Sequence, residues 1–337
     1  MKLRYPAFAA AISAALLLSQ LFPAAAQTQP IKFIVGLAPG GAVDPYARII
    51  AEHMAKTLNR AIVVENRPGA TGNISAQYMI DSPADGQLIW VGTQALTEIN
   101  PSVFSNLRWK IDDFLPLIKG VQAPLVFVAH PSVPAANFAD FVAWAKANRG
   151  KLSYSSYTPG TPSHFLGFQL NEKFDLDLTH VPYRGSGLQT NGLVAGHSLF
   201  GFAQVNTSAP HHAVGKLKAF GITSAERWPA MKDVPTFAEL GQPEFTTRVW
   251  FGLLVKRGTP PDIVARLTAA AMEAHRDPEV RSKLEAQGYE VTGETGPQLM
   301  ADIKTQLARW ARIVKAAGFS SEDRGSVSSG EVWNKHS

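Results

Sequence analysis

Short apolar runs alternate with amphipathic stretches along most of the chain. The first run, residues 31–35, is followed by Gly36, Pro39, Gly40 and Gly41, and then by 44–59, where Ile50, Met54 and Leu58 recur every fourth position. A short apolar run bounded by glycine reads as a buried strand, and i, i+4, i+8 spacing reads as a helix with one apolar face. Asp44 before Pro45 predicts the helix start, with the carboxylate as N-cap and proline at the first helical position. The alternation continues with a strand over 62–64, a glycine turn over 66–73, a helix to Ile80 and a strand over 88–91 that ends at Thr93-Gln94. Further on, 125–129 reads as a strand and 137–149 as a helix with Phe138, Phe141, Val142 and Ala145 on one face and Gly150 just past its end. Strands follow over 151–154 and 178–181, a helix end and a strand over 193–205, and strands over 217–222 and 250–255. The rest is helical, over 261–275, 278–287 and 298–317, the last with Leu299, Ile303, Leu307, Trp310 and Val314 on one stripe.

Strands that alternate with helices predict an α/β fold with mostly parallel sheets, in which ligands sit at the carboxyl ends of the strands. Both glycine turns and Thr93-Gln94 fall at such ends. The elements divide into two units. If the chain leaves the first near Leu125 and returns near Ile222, two connections join the units and form a hinge around a cleft. The expected organisation is one lobe from 27–124 plus 223–319, a second from 125–222, and a polar tail over 320–337.

Composition narrows the class. Lys2 and Arg4, an apolar stretch over 7–21 and Ala24-Ala25-Ala26 form an export leader over 1–26, with cleavage expected near Ala26 and delivery to the periplasm. The chain has no cysteine, which excludes disulfides, thiolate metal sites and cysteine nucleophiles. A formal charge of +5 favours small anions mildly and does not call for nucleic acid.

The candidate chemistry is that of binding. Gly40 and Gly41 are followed by Ala42 and Val43 rather than Lys-Ser/Thr, which excludes a nucleotide-type phosphate loop, and no Gly-x-Gly-x-x-Gly is present. Both glycine turns can still offer backbone amides to a carboxylate. An exported hydrolase using Ser163 or Ser198 is the alternative. The nearest approach to a Gly-x-Ser-x-Gly elbow is Gly196-His197-Ser198-Leu199-Phe200, where phenylalanine stands in place of the small last residue. His211 and His212 are adjacent, a spacing unlike that of a metal pair, and no metal or cofactor is expected. The polar loop over 155–164 supplies hydroxyl and imidazole groups, and Tyr183 and Gly185 a further hydroxyl and amide. The candidate ligand-binding residues are Pro39, Gly40, Gly41, Asp44, Gly72, Asn73, Thr93 and Gln94 on the first unit. On the second they are Ser155, Thr158, Gly160, Thr161, His164, Tyr183, Gly185 and Gln204. Arg67 and Arg184 are cations without an assigned role.

Four motifs, in this order, carry a resemblance. They are Pro39-Gly40-Gly41 with Asp44 and Ala47-Arg48; Asn66-Arg67-Pro68-Gly69-Ala70 with Gly72; Val181-Pro182-Tyr183-Arg184-Gly185; and Val234-Pro235-Thr236 with Glu239 and Gly241. Trp310 with Ala316-Ala317-Gly318 closes the series. Over 31–319 the chain resembles the Bug-type periplasmic solute receptors of the tripartite tricarboxylate transporter group. The resemblance implies a two-lobed type II binding-protein fold that closes on a small organic carboxylate, held largely by first-lobe backbone amides without a mandatory arginine. It implies hand-over of the ligand to a membrane permease; a monomer is expected, with a sensor kinase as the alternative partner. One departure stands out: Gly192 occupies the place of the family's usual aspartate, a lost charge expected near the second-lobe wall.

Overall fold

The computed structural model describes residues 29–320, so the leader expected over 1–26 and nearly all of the expected tail lie outside the described residues. Two sheets organise the chain. The first runs in the order β11 (Glu290–Thr295), β4 (Phe114–Ala123), β10 (Val249–Lys256), β3 (Leu88–Thr93), β1 (Ile31–Val35), β2 (Ile62–Asn66). The second runs β7 (Thr179–Pro182), β6 (Ser153–Ser156), β8 (Phe200–Gln204), β5 (Leu125–Ala129), β9 (Lys218–Ile222).

The two-lobed α/β expectation holds, and each sheet is mixed. β2, β1 and β3 are parallel, whereas β10 runs antiparallel to β3 and β4, and β11 antiparallel to β4. In the second sheet β7, β6 and β8 are parallel, and β5 runs against both β8 and β9. The antiparallel strands β4, β5, β9 and β10 flank the passages between lobes. A chain that leaves one sheet and returns must run back along it.

The first sheet is covered on both faces, which is why its strands read as continuous apolar runs. Side chains alternate across a strand. Phe33, Val35, Ile89, Val91, Phe251 and Leu253 therefore face one core, and Ile34, Trp90, Trp250 and Leu254 face another. The first core is closed by helix α1 (Val43–Thr57), whose Tyr46, Ile50 and Met54 are fully buried. Each such side chain contributes about 1.5–3 kcal/mol by leaving water. The second core takes Ala76 and Met79 of α2 (Asn73–Asp81). A π-helical turn, Ala95–Ile99, runs into the short α3 (Asn100–Val103). In the second lobe α4 (Phe138–Ala147), α5 (Pro162–Phe174), α6 (Ser186–Val194) and α7 (Val205–Ala213) flank the sheet. Phe141 of α4 stacks edge-on against Phe127 and Phe200, each with ring centroids 4.8 Å away. The chain then forms α8 (Pro261–Arg276), α9 (Pro278–Ala286) and α10 (Gly296–Ala316).

Three expectations change. α1 starts earlier than Asp44: its N-cap is Ala42, which is already helical, and Asp44 N–H donates to Gly41 O at 3.3 Å. Asp44 sits in the first turn, where its carboxylate accepts from Arg48 at 3.0 and 3.1 Å. β4, β11, α5 and α7 escape the apolar pattern. β4 contains Pro116 and Gly120, two residues that ordinarily interrupt strands. Gly120 is required by packing, since a Cβ there would lie 2.1 Å from His275 Nε2 and 2.3 Å from the Tyr46 hydroxyl.

The third concerns the segment after residue 222. Phe237 packs on Phe138 of the second lobe at 5.2 Å, and Phe245 on Phe202 at 6.0 Å, so this segment lies against the second sheet. Thr223 ties the crossing together. Its hydroxyl accepts from Leu125 N–H at 2.8 Å and donates to Thr247 O at 2.8 Å, and its amide donates to Leu125 O at 2.9 Å.

Candidate functional site

A cavity of about 400 Å³ lies between the two sheets. Its first-lobe wall is Pro39 to Val43, Thr71, and Thr93 to Ala95; its second-lobe wall is Tyr157, Thr158, Thr161, Pro162, Arg184 to Leu188, Asn191 and Gln204. Val249, Trp250 and Phe251 of β10 complete it. Among the described residues, no aspartate or glutamate lines the cavity, and Arg184 is the one charged residue that does.

Helix starts converge here. α1, the helical turn after β3, α5 and α6 each begin at residues that line the cavity: Val43, Ala95, Pro162 and Ser186. The first amides of a helix have no intrahelical partner, and the macrodipole makes that end positive. Four such ends around one space form a field suited to an anion. The sheet order explains the convergence, since β1, β3, β6 and β7 all end at this side.

The second glycine turn braces the first-lobe wall. Gly69, Ala70, Thr71 and Gly72 all have positive φ, of 135°, 46°, 51° and 91°. A β-branched residue in the left-handed region is a genuine outlier, and Thr71 is the residue of this turn that lines the cavity. Asn100 Nδ2 holds it there, donating to Thr71 O at 3.1 Å and to Asn73 Oδ1 at 3.0 Å.

Of the residues singled out from sequence, Pro39, Gly40, Gly41, Thr93, Gln94, Thr158, Thr161, Gly185 and Gln204 line the cavity. Seven others lie outside its lining, each for a visible reason. Asp44 is engaged by Arg48; burial alone would raise its pKa, and hydrogen bonds from Arg48, Asn66 and Gly40 N–H outweigh burial and hold it below the usual carboxylate range. Gly72 lies against Leu96, and Asn73 is bound to Asn100. Ser155 is in β6, fully buried, and its hydroxyl donates to Phe200 O at 3.3 Å. Gly160 N–H donates to His164 Nδ1 at 3.2 Å, and the His164 ring stacks on His180 at 4.0 Å and meets the edge of Phe319 at 4.7 Å. The Tyr183 hydroxyl bonds Ser198 Oγ at 3.0 Å.

Gly192 lies against the Tyr183 ring. A Cβ at Gly192 would stand 2.2 Å from the Tyr183 hydroxyl, so a side chain there requires the tyrosine to shift. Neither Ser163 nor Ser198 lines the cavity, and Ser163 donates to Phe202 O. No group of three or more histidines and carboxylates able to hold a metal ion occurs among the described residues. No helix among them is long and apolar enough to cross a membrane.

Some lining residues escaped the sequence reading. Tyr157 is buried, and burial pushes its phenol above the usual range, so it remains protonated. The Thr158 and Thr161 hydroxyls donate to Tyr157 O and Thr158 O. Their protons are engaged, and they turn lone pairs to their surroundings. Trp250 and Phe251 come from an antiparallel strand and carry no strand-end signal.

The profile of the tripartite tricarboxylate transporter family receptor matches residues 46–319. The chain belongs to this family. Among its relatives, BugT of Bordetella pertussis is 30% identical to the receptor over 292 residues, covering 86% of this chain and 90% of BugT. Two solved structures share its fold. A protein of R. palustris with adipate has a TM-score of 0.81 and 28% identity, covering 86% of this chain and 98% of that one. MatC from Rhodopseudomonas palustris with bound malate has a TM-score of 0.78 and 31% identity, covering 85% and 98%. The receptor is thus a solute-binding protein and not an enzyme, and the hydrolase alternative has no support in family or geometry.

Proposed function

We propose that the receptor captures a small organic carboxylate in the interlobe cavity and closes on it by hinge motion. The observation that carries this reading is the convergence of four helix starts from both lobes on one cavity without an acidic side chain. The ligand's carboxylate is assigned to the amides of Gly41, Ala42 and Val43, because the Gly40 N–H already points at Asp44 Oδ2, 3.5 Å away. Gln94, Tyr157 and Gln204 line the same cavity and are assigned as side-chain donors to the ligand. Arg184, exposed and without an ion pair among the described residues, is assigned a second carboxylate at the mouth. The neighbours' adipate and malate, both dicarboxylates, support that choice.

The moving bodies in this reading are built on the first sheet and on the second, hinged at Pro124 and at the Thr223–Thr247 contact, with the end of α10 packed on the second body through Phe165 and His164. Export to the periplasm after cleavage near Ala26, action as a monomer, and delivery to a membrane permease or a sensor kinase complete the proposal.

A thermal-shift panel of dicarboxylates, aromatic acids and amino acids tests it, on protein refolded to strip carried-over ligand. At least one acid raises Tm, because a ligand at 100 times its Kd adds about 2.7 kcal/mol of stability. No shift from any of them, with no acid released from freshly purified protein in mass spectrometry, sinks the proposal.

A further inference from the structure

Behind the cleft lies a second cavity of about 330 Å³, and Gln94 and Trp250 line both. Glu98 lines the second cavity and is 1% exposed. Its Oε1 accepts from Trp250 Nε1 at 2.7 Å. Its Oε2 has no hydrogen-bond partner among the described residues, and neither has Gln94 Oε1; both atoms are buried. Gln94 and Glu98 stand one turn apart on the segment after β3, and the Gln94 amide acts on the carboxyl at hydrogen-bond range. Trp310 Nε1, a buried donor without a partner among the described residues, also acts on this carboxyl, so an ionised Glu98 faces Trp250, Trp310 and the Gln94 NH₂ group, while Gln94 Oε1 stays unpaired at a cost. A proton on Glu98 Oε2 satisfies both acceptors by donating to Gln94 Oε1.

We propose that Glu98 is a positioning residue for the cleft: protonated, it holds Gln94 with its NH₂ group toward the ligand, and ionised, it turns that amide to present its oxygen. The proposal rests on the carboxylate reading of the cavity, since an anion there favours the first arrangement and is repelled by the second. Affinity and the protonation of Glu98 are then linked.

The surroundings of Glu98 agree. Burial pushes its carboxyl up to about 7, against the Trp250 hydrogen bond, the nearby donors of Gln94 and Trp310 and the charge of Lys119, which pull it down. Lys119 of β4 is itself shared with Glu294 of β11 at 3.0 Å and Asp302 of α10 at 4.0 Å. Arg309 of α10 lines the same cavity, its basicity lowered by burial and partly restored by Glu98. Arg248 of β10, also lining it, is paired with Glu290.

A bound carboxylate favours the protonated form, so the complex holds the proton more tightly than the free receptor. Affinity is full below the free-receptor value and falls as pH rises through it, levelling off once the carboxyl ionises in the complex too. A one-unit rise of that pKa on binding limits the loss to about tenfold.

The test is calorimetric binding of adipate and of malate to wild type and Glu98→Gln, from about pH 6 to about pH 8.5. Wild type weakens by up to about tenfold over this range and takes up a fraction of a proton on binding above neutrality. Glu98→Gln, which can donate to Gln94 Oε1 and cannot ionise, binds at every pH as tightly as wild type does at the acid end. An equal slope in both proteins, or no slope in wild type, overturns the proposal. A ligand-free arm keeps it falsifiable on its own. A carboxyl whose folded-state pKa lies above its unfolded value makes wild type lose stability relative to Glu98→Gln as pH rises from about 5 through neutrality. Parallel stability curves overturn the proposal whatever binds. If the curves diverge and neither acid binds at any pH, the carboxylate reading and the role given to Gln94 fall together, and only the buried proton survives.

Discussion

The two walls of the cleft are made of different material. The first-lobe wall is largely backbone: Pro39 to Val43 at the start of α1, and Thr71 from a turn at 69–72 whose four residues all have positive φ, with the Gln94 side chain beside them. The second-lobe wall is side chain: Tyr157, Thr158, Thr161, Arg184, Asn191 and Gln204. Amides at a helix start are fixed by the fold and select charge, since any anion satisfies them. Side chains can change without disturbing the sheet behind them, and they select shape. On this contrast, one lobe makes the protein a receptor for anions, and the other chooses the anion. Substitutions should therefore damage fold and binding together in the first lobe, and separately in the second.

The largest expected effect comes from Gly72. Its φ is +91°, and a Cβ there would lie 2.5 Å from Leu96 Cδ2. Gly72→Val combines left-handed strain on a β-branched residue with overpacking and should cost about 4 kcal/mol in urea unfolding. Gly40 is the internal control. It has a positive φ of +78° but open space around its Cβ position, so Gly40→Ala should cost only about 1 kcal/mol. A loss below about 1 kcal/mol for Gly72→Val would mean that this wall is softer than its geometry implies.

That asymmetry also decides what could be read from sequence. The first-lobe wall was legible because glycine and proline announce backbone conformation directly, and the apolar runs around them were long and covered on both faces. In sequence the loop over 155–164 reads as one polar surface, and the fold divides it. Ser155 and Ser156 belong to β6, and Ser163 and His164 lie inside α5. Hydroxyls were counted as ligand donors, but most of them donate to nearby carbonyls, as a buried polar group must. Thr161-Pro162 was a readable helix start, with a capping residue before a proline at the first helical position. Trp250 and Glu98 were not readable. An antiparallel strand brings one and a π-helical turn the other, and neither leaves a periodic signal in the chain.

Gly192 sharpens the second half of the contrast. If the second lobe tolerates side-chain change, an aspartate at 192 should cost only what it takes to shift the Tyr183 ring. Gly192→Asp drives a Cβ into the Tyr183 hydroxyl and breaks its bond to Ser198, at an expected cost of about 2 kcal/mol. The double variant Gly192→Asp/Tyr183→Ala should be less destabilised than the two single losses added together, a coupling that a double-mutant cycle reads directly. Simple additivity would show that Tyr183 is not what an aspartate at 192 displaces.

The smallest effect on stability should be the most informative about binding. Arg184 is exposed, lines the mouth of the cavity and forms no ion pair among the described residues. Arg184→Gln should leave stability within about 0.5 kcal/mol of wild type, as surface changes away from packing usually do. If it meets a distal carboxylate, adipate affinity should fall about tenfold, because one charge-assisted hydrogen bond at a partly desolvated rim contributes on that scale. A monocarboxylate that fills only the amide cradle should bind the variant and wild type alike. Equal losses for both acids would place Arg184 in the general field of the cleft and return the choice of ligand to Gln204, Asn191 and the apolar lining. A loss confined to the longer acid would make the second lobe the part that measures the ligand, with the first lobe holding its charged end.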